Sequence, residues 1–110
     1  MINNNKAIFF DRDGTLIDIP KYKGFKPQSF QKLCQIYIKK DVVEVCAMLK
    51  KKYLLFLITN QPDVSRKLNS KINVENINSY LKRKLLLDKV AVCYSDDDKN
   101  FFRKPNPGMI

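Results

Sequence analysis

Asp11 and Asp13 stand two residues apart in Asp11-Arg12-Asp13-Gly14-Thr15, directly after the apolar run Lys6-Ala7-Ile8-Phe9-Phe10. Alternate side chains on an extended segment point the same way, so the two carboxylates are expected to face one pocket. Charges that close repel unless a cation or a proton lies between them. Oxygen ligands with open positions suit Mg²⁺, which prefers carboxylate, phosphate and water. One carboxylate can attack phosphorus and form an aspartyl-phosphate. The other can protonate the leaving oxygen and later activate water. Gly14 lets the backbone turn sharply and present N–H groups to a phosphate. Thr59 and Lys104 would bind the phosphoryl oxygens as charge builds on them.

Each piece also has a plainer reading. Asp-x-Asp-Gly is often a surface turn or part of a calcium loop. The calcium version fails here, because Leu16 and Ile17 stand where further oxygen ligands would follow. Thr59-Asn60 after an apolar run can be a helix cap or a turn. Lys104 alone can be a surface lysine. What argues against coincidence is their order, at the ends of successive strands.

Composition narrows the chemistry further. The 110 residues suit one domain, and 45% of them are hydrophobic, ordinary for a globular protein. Histidine is absent, which excludes Ser-His-Asp and Cys-His catalysis, HExxH zinc sites and phosphohistidine. Three cysteines, Cys34, Cys46 and Cys93, with no CxxC, argue against a disulfide framework and for a reducing compartment. No apolar run approaches a membrane span, and the N-terminus lacks the apolar core of a secretory signal. A cytoplasmic location is therefore expected, with no membrane partner. The net charge of +10, from 21 Lys+Arg against 11 Asp+Glu, attracts anions but also fits a solvated lysine surface. The lysine clusters carry no interleaved aromatics, so they form no nucleic-acid motif of their own.

The elements that must position these residues can be read from periodicity. Residues 6–10, 53–58 and 89–94 read as buried strands. Residues 41–51 read as a helix with Asp41 as N-cap, Val42, Val45, Cys46 and Leu49 facing inward, and lysines at its C-terminal end. Residues 72–87 read as a second helix, with Val74, Ile77, Leu81 and Leu85 on one face. Residues 19–35 read as a loop, with room for one hairpin, and residues 103–108 as extended or turned. Strand, helix, strand, helix, strand implies a parallel sheet with right-handed crossovers. Ligands of such sheets bind beyond the C-terminal strand ends. Asp11-Arg12-Asp13, Thr59-Asn60-Gln61 and the segment leading to Arg103-Lys104 all fall there.

Phe9-Phe10-Asp11-Arg12-Asp13-Gly14-Thr15-Leu16-Ile17 resembles motif I of the haloacid dehalogenase superfamily. Ile58-Thr59-Asn60-Gln61 resembles its motif II, and Arg103-Lys104-Pro105-Asn106-Pro107-Gly108-Met109 its motif III. The wording is similar to the branch that holds histidinol phosphatases and heptose-bisphosphate phosphatases (subfamily IIIA). The resemblance implies an α/β, three-layer, Rossmann-like parallel sheet, incomplete at the C-terminus and without a large cap domain. It implies Asp11 as nucleophile, Asp13 as general acid/base, and Mg²⁺ held by Asp11 and the backbone carbonyl of Asp13. Gly14, Thr15, Thr59 and Lys104 would bind the phosphoryl group, and Asn60, Arg66 and Arg103 the substrate.

Two departures from the branch shape the expectations. Its fourth motif, an acidic strand end completing the metal site, follows motif III by some tens of residues, whereas this sequence stops at Ile110. A C-terminally truncated chain with little or no phosphatase activity is expected. The branch also carries a zinc loop, of which only Cys93 remains, with Asn100, Phe101 and Phe102 where a Cys pair would stand. One soft ligand cannot hold tetrahedral zinc, so no zinc is expected, and Phe101 or Phe102 should pack the loop instead. The leading expectation is a phosphatase of a small phosphorylated metabolite, a sugar phosphate or histidinol phosphate. A polynucleotide 3′-phosphatase is the enzymatic alternative. A non-catalytic phosphate-binding remnant, or a subunit that pairs through an open sheet edge as a homo-oligomer, is the alternative from another class.

Overall fold

A computed structural model describes residues 6–18 and 36–110. The loop expected over residues 19–35, and with it the question of a cap, lies outside the described residues.

Three parallel strands form the sheet in the order β1 (Ala7–Phe10), β2 (Leu54–Asn60) and β3 (Lys89–Cys93). Helix α1 (Lys40–Leu49) joins the first pair and α2 (Lys71–Lys84) the second. A 3-10 turn at Pro107–Met109 closes the described chain. The α/β class and the Rossmann-like parallel sheet are as expected.

Pleating sorts the strands into two faces. Ile8, Phe10, Leu55, Leu57 and Val90 share the face that meets both helices. Helix α2 supplies Val74, Ile77 and Leu81, all at most 1% exposed, and Leu85 follows just behind. Burying each such side chain contributes about 1.5–3 kcal/mol, so α2 is the better-anchored helix. Its start is fixed by Ser70, whose hydroxyl accepts from the Asn73 N–H at 3.1 Å. It ends sooner than its apolar spacing predicts, because Leu86 turns to a φ of 58°. The Leu87 N–H then returns to the Lys82 carbonyl at 3.0 Å, which satisfies a carbonyl of the last turn.

Helix α1 departs from its expected start and stripe. It begins at Lys40 with Lys39 in the N-cap position and no side-chain cap; Asp41 lies inside the first turn, accepting from the Val42 N–H. Only Cys46 is fully buried, with Val42 and Leu49 packed beside it. Val45 is 50% exposed. It lies about 100° round the axis from Cys46 and misses the narrow contact stripe. Burial pushes the Cys46 thiol above its usual range.

Strand β2 runs through Thr59 and Asn60 rather than stopping at Ile58, because Thr59 and Asn60 pair with Val92 and Cys93. The other end of the strand is tied by Asp88. Its carboxylate accepts from the Leu55 N–H at 2.7 Å and pairs with the Lys50 ammonium behind α1. Its backbone N–H donates to the Leu55 carbonyl, also at 2.7 Å. Burial alone would raise this carboxyl. The bonds from Lys50 and Leu55, with the charges of Lys50 and Lys82, outweigh it and hold the group below the usual range.

A depressed folded value stabilises the fold above the unfolded carboxyl value of about 3.9, and that stabilisation is lost as pH falls through the folded value. Asp88→Asn should therefore cost about 1–2 kcal/mol at neutral pH. Urea unfolding across pH should show this gap holding at neutral pH and closing in acid below the carboxyl range. A gap that persists in acid would contradict the assignment.

Candidate functional site

The first strand ends at Phe10, and Asp11 is the first residue beyond the paired register. Its side chain is 54% exposed. Oδ1 accepts from the Arg12 N–H at 3.0 Å and from the Lys104 ammonium at 2.6 Å. Oδ2 has no hydrogen-bond partner among the described residues.

Lys104 is brought 93 positions back along the chain to meet Asp11. The device is a reciprocal clamp by Asn60. The Lys104 N–H donates to Asn60 Oδ1 at 2.9 Å, and Asn60 Nδ2 donates to the Lys104 carbonyl at 3.0 Å. The ammonium is further fixed by the Ile58 carbonyl at 2.9 Å. Asn60 thus holds the third motif segment against the second strand end, and its amide is engaged there rather than turned toward a substrate.

Asp13 has its own cation. Arg12 Nε lies 3.0 Å from Oδ1 and Nη2 3.3 Å from Oδ2. Lys104 and Arg12 thus pair with one carboxylate each. Gln61 Nε2 bridges Asp13 Oδ2 at 3.3 Å and Thr59 Oγ1 at 2.8 Å. Thr59 is 2% exposed. Because its oxygen accepts from Gln61, its own proton remains free to donate. Asp11, Asp13, Thr59 and Lys104 are thus linked within one cluster by direct or single-residue bridges.

Gly14 adopts a φ of 85°, where other residues are strained. Its N–H is not presented to a ligand as expected. It donates to the Ile17 carbonyl at 2.7 Å, while the N–H groups of Thr15, Leu16 and Ile17 all return to the Arg12 carbonyl. The turn spends these donors on its own closure, and it drives Leu16 and Ile17 into the core. Thr15 is left exposed beside it.

Arg66 and Arg103 point to acidic loops. Arg66 lies 3.6 Å from Asp63 and 3.7 Å from Asp96. Arg103 donates to the Ser95 carbonyl at 3.0 Å and lies 3.3 Å from Asp98. Neither has a bond to the Asp11 cluster among the described residues.

The segment after β3 is not packed by its phenylalanines. Phe101 and Phe102 meet edge to face at 5.5 Å and are 60% and 54% exposed. Polar bonds hold the loop instead: Asn106 Nδ2 donates to the carbonyls of Asp98 and Asn100. Cys93 is a free thiol, 3.9 Å from Asn100 Oδ1. Gly108 passes so close that a Cβ there would lie 2.6 Å from the Phe101 carbonyl oxygen.

Among the described residues no group of three or more His, Cys, Asp or Glu is placed to hold a metal ion. No described helix is long and apolar enough to cross a membrane. What the motif I tip offers a metal is all oxygen: Asp11 Oδ2 and neighbouring backbone carbonyls. That set fits Mg²⁺, which keeps several waters and takes few carboxylates.

Residues 6–110 match the family described as polynucleotide kinase 3 phosphatase. The chain is 32% identical over 118 aligned positions to the D-glycero-beta-D-manno-heptose-1,7-bisphosphate 7-phosphatase of Helicobacter pylori, covering 100% of this chain and 64% of that one. It is 33% identical to the histidine biosynthesis bifunctional protein HisB of Buchnera aphidicola, covering 97% of this chain and 31% of that one. The chain therefore spans under two thirds of the length of these relatives. Among solved structures, the D,D-heptose 1,7-bisphosphate phosphatase of B. bronchiseptica, complexed with magnesium and phosphate, superposes with a TM-score of 0.73 at 24% identity. It covers 94% of this chain and 59% of that one.

The clamp makes a direct prediction. Asn60→Ala should release Lys104, with hydrogen exchange at the Lys104 amide rising about tenfold or more for the loss of a bond worth about 1.5 kcal/mol. Unchanged exchange would show that the clamp is not what seats the lysine.

Proposed function

The chain belongs to the polynucleotide kinase 3 phosphatase family, within the haloacid dehalogenase phosphatases, and from that membership we propose that it hydrolyses phosphomonoesters at Asp11. The observation that carries this reading is a half-exposed Asp11 carboxylate, its Oδ2 without a partner among the described residues, bonded through Oδ1 to Lys104.

In the proposed reaction Asp11 Oδ2 forms a bond to phosphorus, and the bond from phosphorus to the leaving oxygen breaks. Asp13, protonated when the ester binds, gives its proton to that oxygen and becomes the carboxylate that Arg12 pairs with. Water then attacks the aspartyl-phosphate, Asp13 takes the water proton, and inorganic phosphate leaves Asp11 free. Lys104 and the Thr59 hydroxyl stabilise the charge that builds on the phosphoryl oxygens. Gly14 shapes the turn, and Thr15 lies at its exposed side. Arg66 and Arg103 form the rim over which a substrate would enter. Mg²⁺, held by Asp11 and the Asp13 carbonyl, would supply charge neutralisation between the nucleophile and the phosphate.

The relatives favour a small phosphorylated metabolite of the sugar phosphate or histidinol phosphate type. Turnover should rise with Mg²⁺. The net charge of +10 favours a second reading, a 3′-phosphate at a polynucleotide end. Binding of an oligonucleotide that weakens steeply with salt supports the second reading, and salt-insensitive turnover of a sugar phosphate the first.

Asp11→Asn should abolish Mg²⁺-dependent release of phosphate from a sugar phosphate. Turnover retained by that variant would refute the nucleophile.

A further inference from the structure

The family motifs leave a buried arginine unexplained. Arg12 lies between the two aspartates, so strand alternation sends its side chain away from the pocket and into the protein. It is 0% exposed. A buried guanidinium is strongly unfavourable unless every donor is paired and its charge is matched. Here Nε and Nη2 form a fork onto both oxygens of Asp13, and Nη1 donates to Asn78 Oδ1 at 3.1 Å. Asn78 is 4% exposed and comes from the buried face of α2. Its own Nδ2 has no partner among the described residues. The amide is therefore oriented toward the arginine while its other end goes unsatisfied, which indicates that this bond determines the amide's direction.

A third donor reaches the same carboxylate from the opposite element. Gln61, 2% exposed, bonds Asp13 Oδ2 and the Thr59 hydroxyl with a single nitrogen. Three N–H groups, from the motif I turn and from the end of β2, thus fall on one carboxylate that is itself 27% exposed. A side chain that only closed a turn would need none of this. A group that must deliver a proton along one line needs its rotation stopped, since small misplacements cost rate heavily.

We propose that Arg12, anchored by Asn78 and assisted by Gln61, is a positioning residue that locks the Asp13 carboxylate in the orientation used for proton transfer to the leaving oxygen. The proposal rests on the phosphatase reading given above. Arg12 touches neither substrate nor reacting atoms; it acts through Asp13.

Proton donation matters for a poor leaving group and little for a good one, and that difference separates positioning from general stability. The full chain, with Mg²⁺ present, is assayed on an alkyl phosphate and on an activated aryl phosphate. Asp13→Asn should cost the alkyl ester about 10²–10⁴ in kcat, the usual worth of a general acid, and the aryl ester far less. Arg12→Lys keeps the charge and loses the fork, so it should repeat that pattern at about 10- to 100-fold, with KM little changed. Asn78→Ala, a milder change that leaves the fork in place, should shift selectivity the same way to a smaller degree. Equal losses on both esters would overturn the positioning role. A wild-type chain that turns over neither ester would overturn the phosphatase reading and this role with it. One readout is independent of turnover: the buried Arg12 Nε–H should give a slowly exchanging NMR signal that Asp13→Asn shifts or exposes. No arginine signal responding to that substitution would overturn the geometry itself.

Discussion

Two negative charges at one strand end have to be neutralised before they can be held side by side, and this chain does so from two directions. Lys104 arrives from far along the sequence and pairs with Asp11 at 2.6 Å. Arg12 arrives from beneath, through the turn itself, and pairs with Asp13 at 3.0 Å. The rest of the described structure serves these two pairs. Strand β2 must continue to Asn60 so that its amide can grip the Lys104 backbone. Helix α2 must pack tightly enough to bring Asn78 under the guanidinium. The sheet that connects them is held at its other end by Asp88.

The two pairs differ in what water can do to them. Lys104 and Asp11 are 25% and 54% exposed, so solvent screens their attraction and either partner can exchange for a ligand. Arg12 is fully enclosed, and breaking its pairing would strand a charge in the core, at a cost of about 3–5 kcal/mol. The same tip thus combines an exchangeable carboxylate with a fixed one. That division suits the chemistry proposed for it, in which Asp11 receives phosphorus and Asp13 only passes a proton.

Much of this was legible in the sequence because it depends on local pattern. The apolar runs gave the three strands, and the spacing of Val74, Ile77, Leu81 and Leu85 gave the buried face of α2. Asp11, Asp13, Thr59 and Lys104 do gather at the strand ends, since a parallel sheet puts all such ends on one edge. Arg12 was legible in principle: a residue between two same-facing side chains must point inward, and an inward arginine must be paired. Gln61 and Asn78 could not be read, since their partners lie 48 and 66 positions away and nothing local marks them. Asn60 at a strand end fits a substrate contact by pattern, whereas its two bonds go to the Lys104 backbone, a distinction only the tertiary structure makes. The packing expected of Phe101 and Phe102 failed because polar bonds from Asn106 had already closed that loop.

The central claim is that a covalent bond forms between Asp11 and phosphorus. Acid quenching during turnover, reduction of the protein with borohydride and peptide mapping test it most directly, because reduction converts an aspartyl-phosphate to homoserine. Homoserine at position 11, dependent on substrate and on Mg²⁺, is the predicted result. Phosphate release with residue 11 unreduced, or reduction at another aspartate, would contradict it.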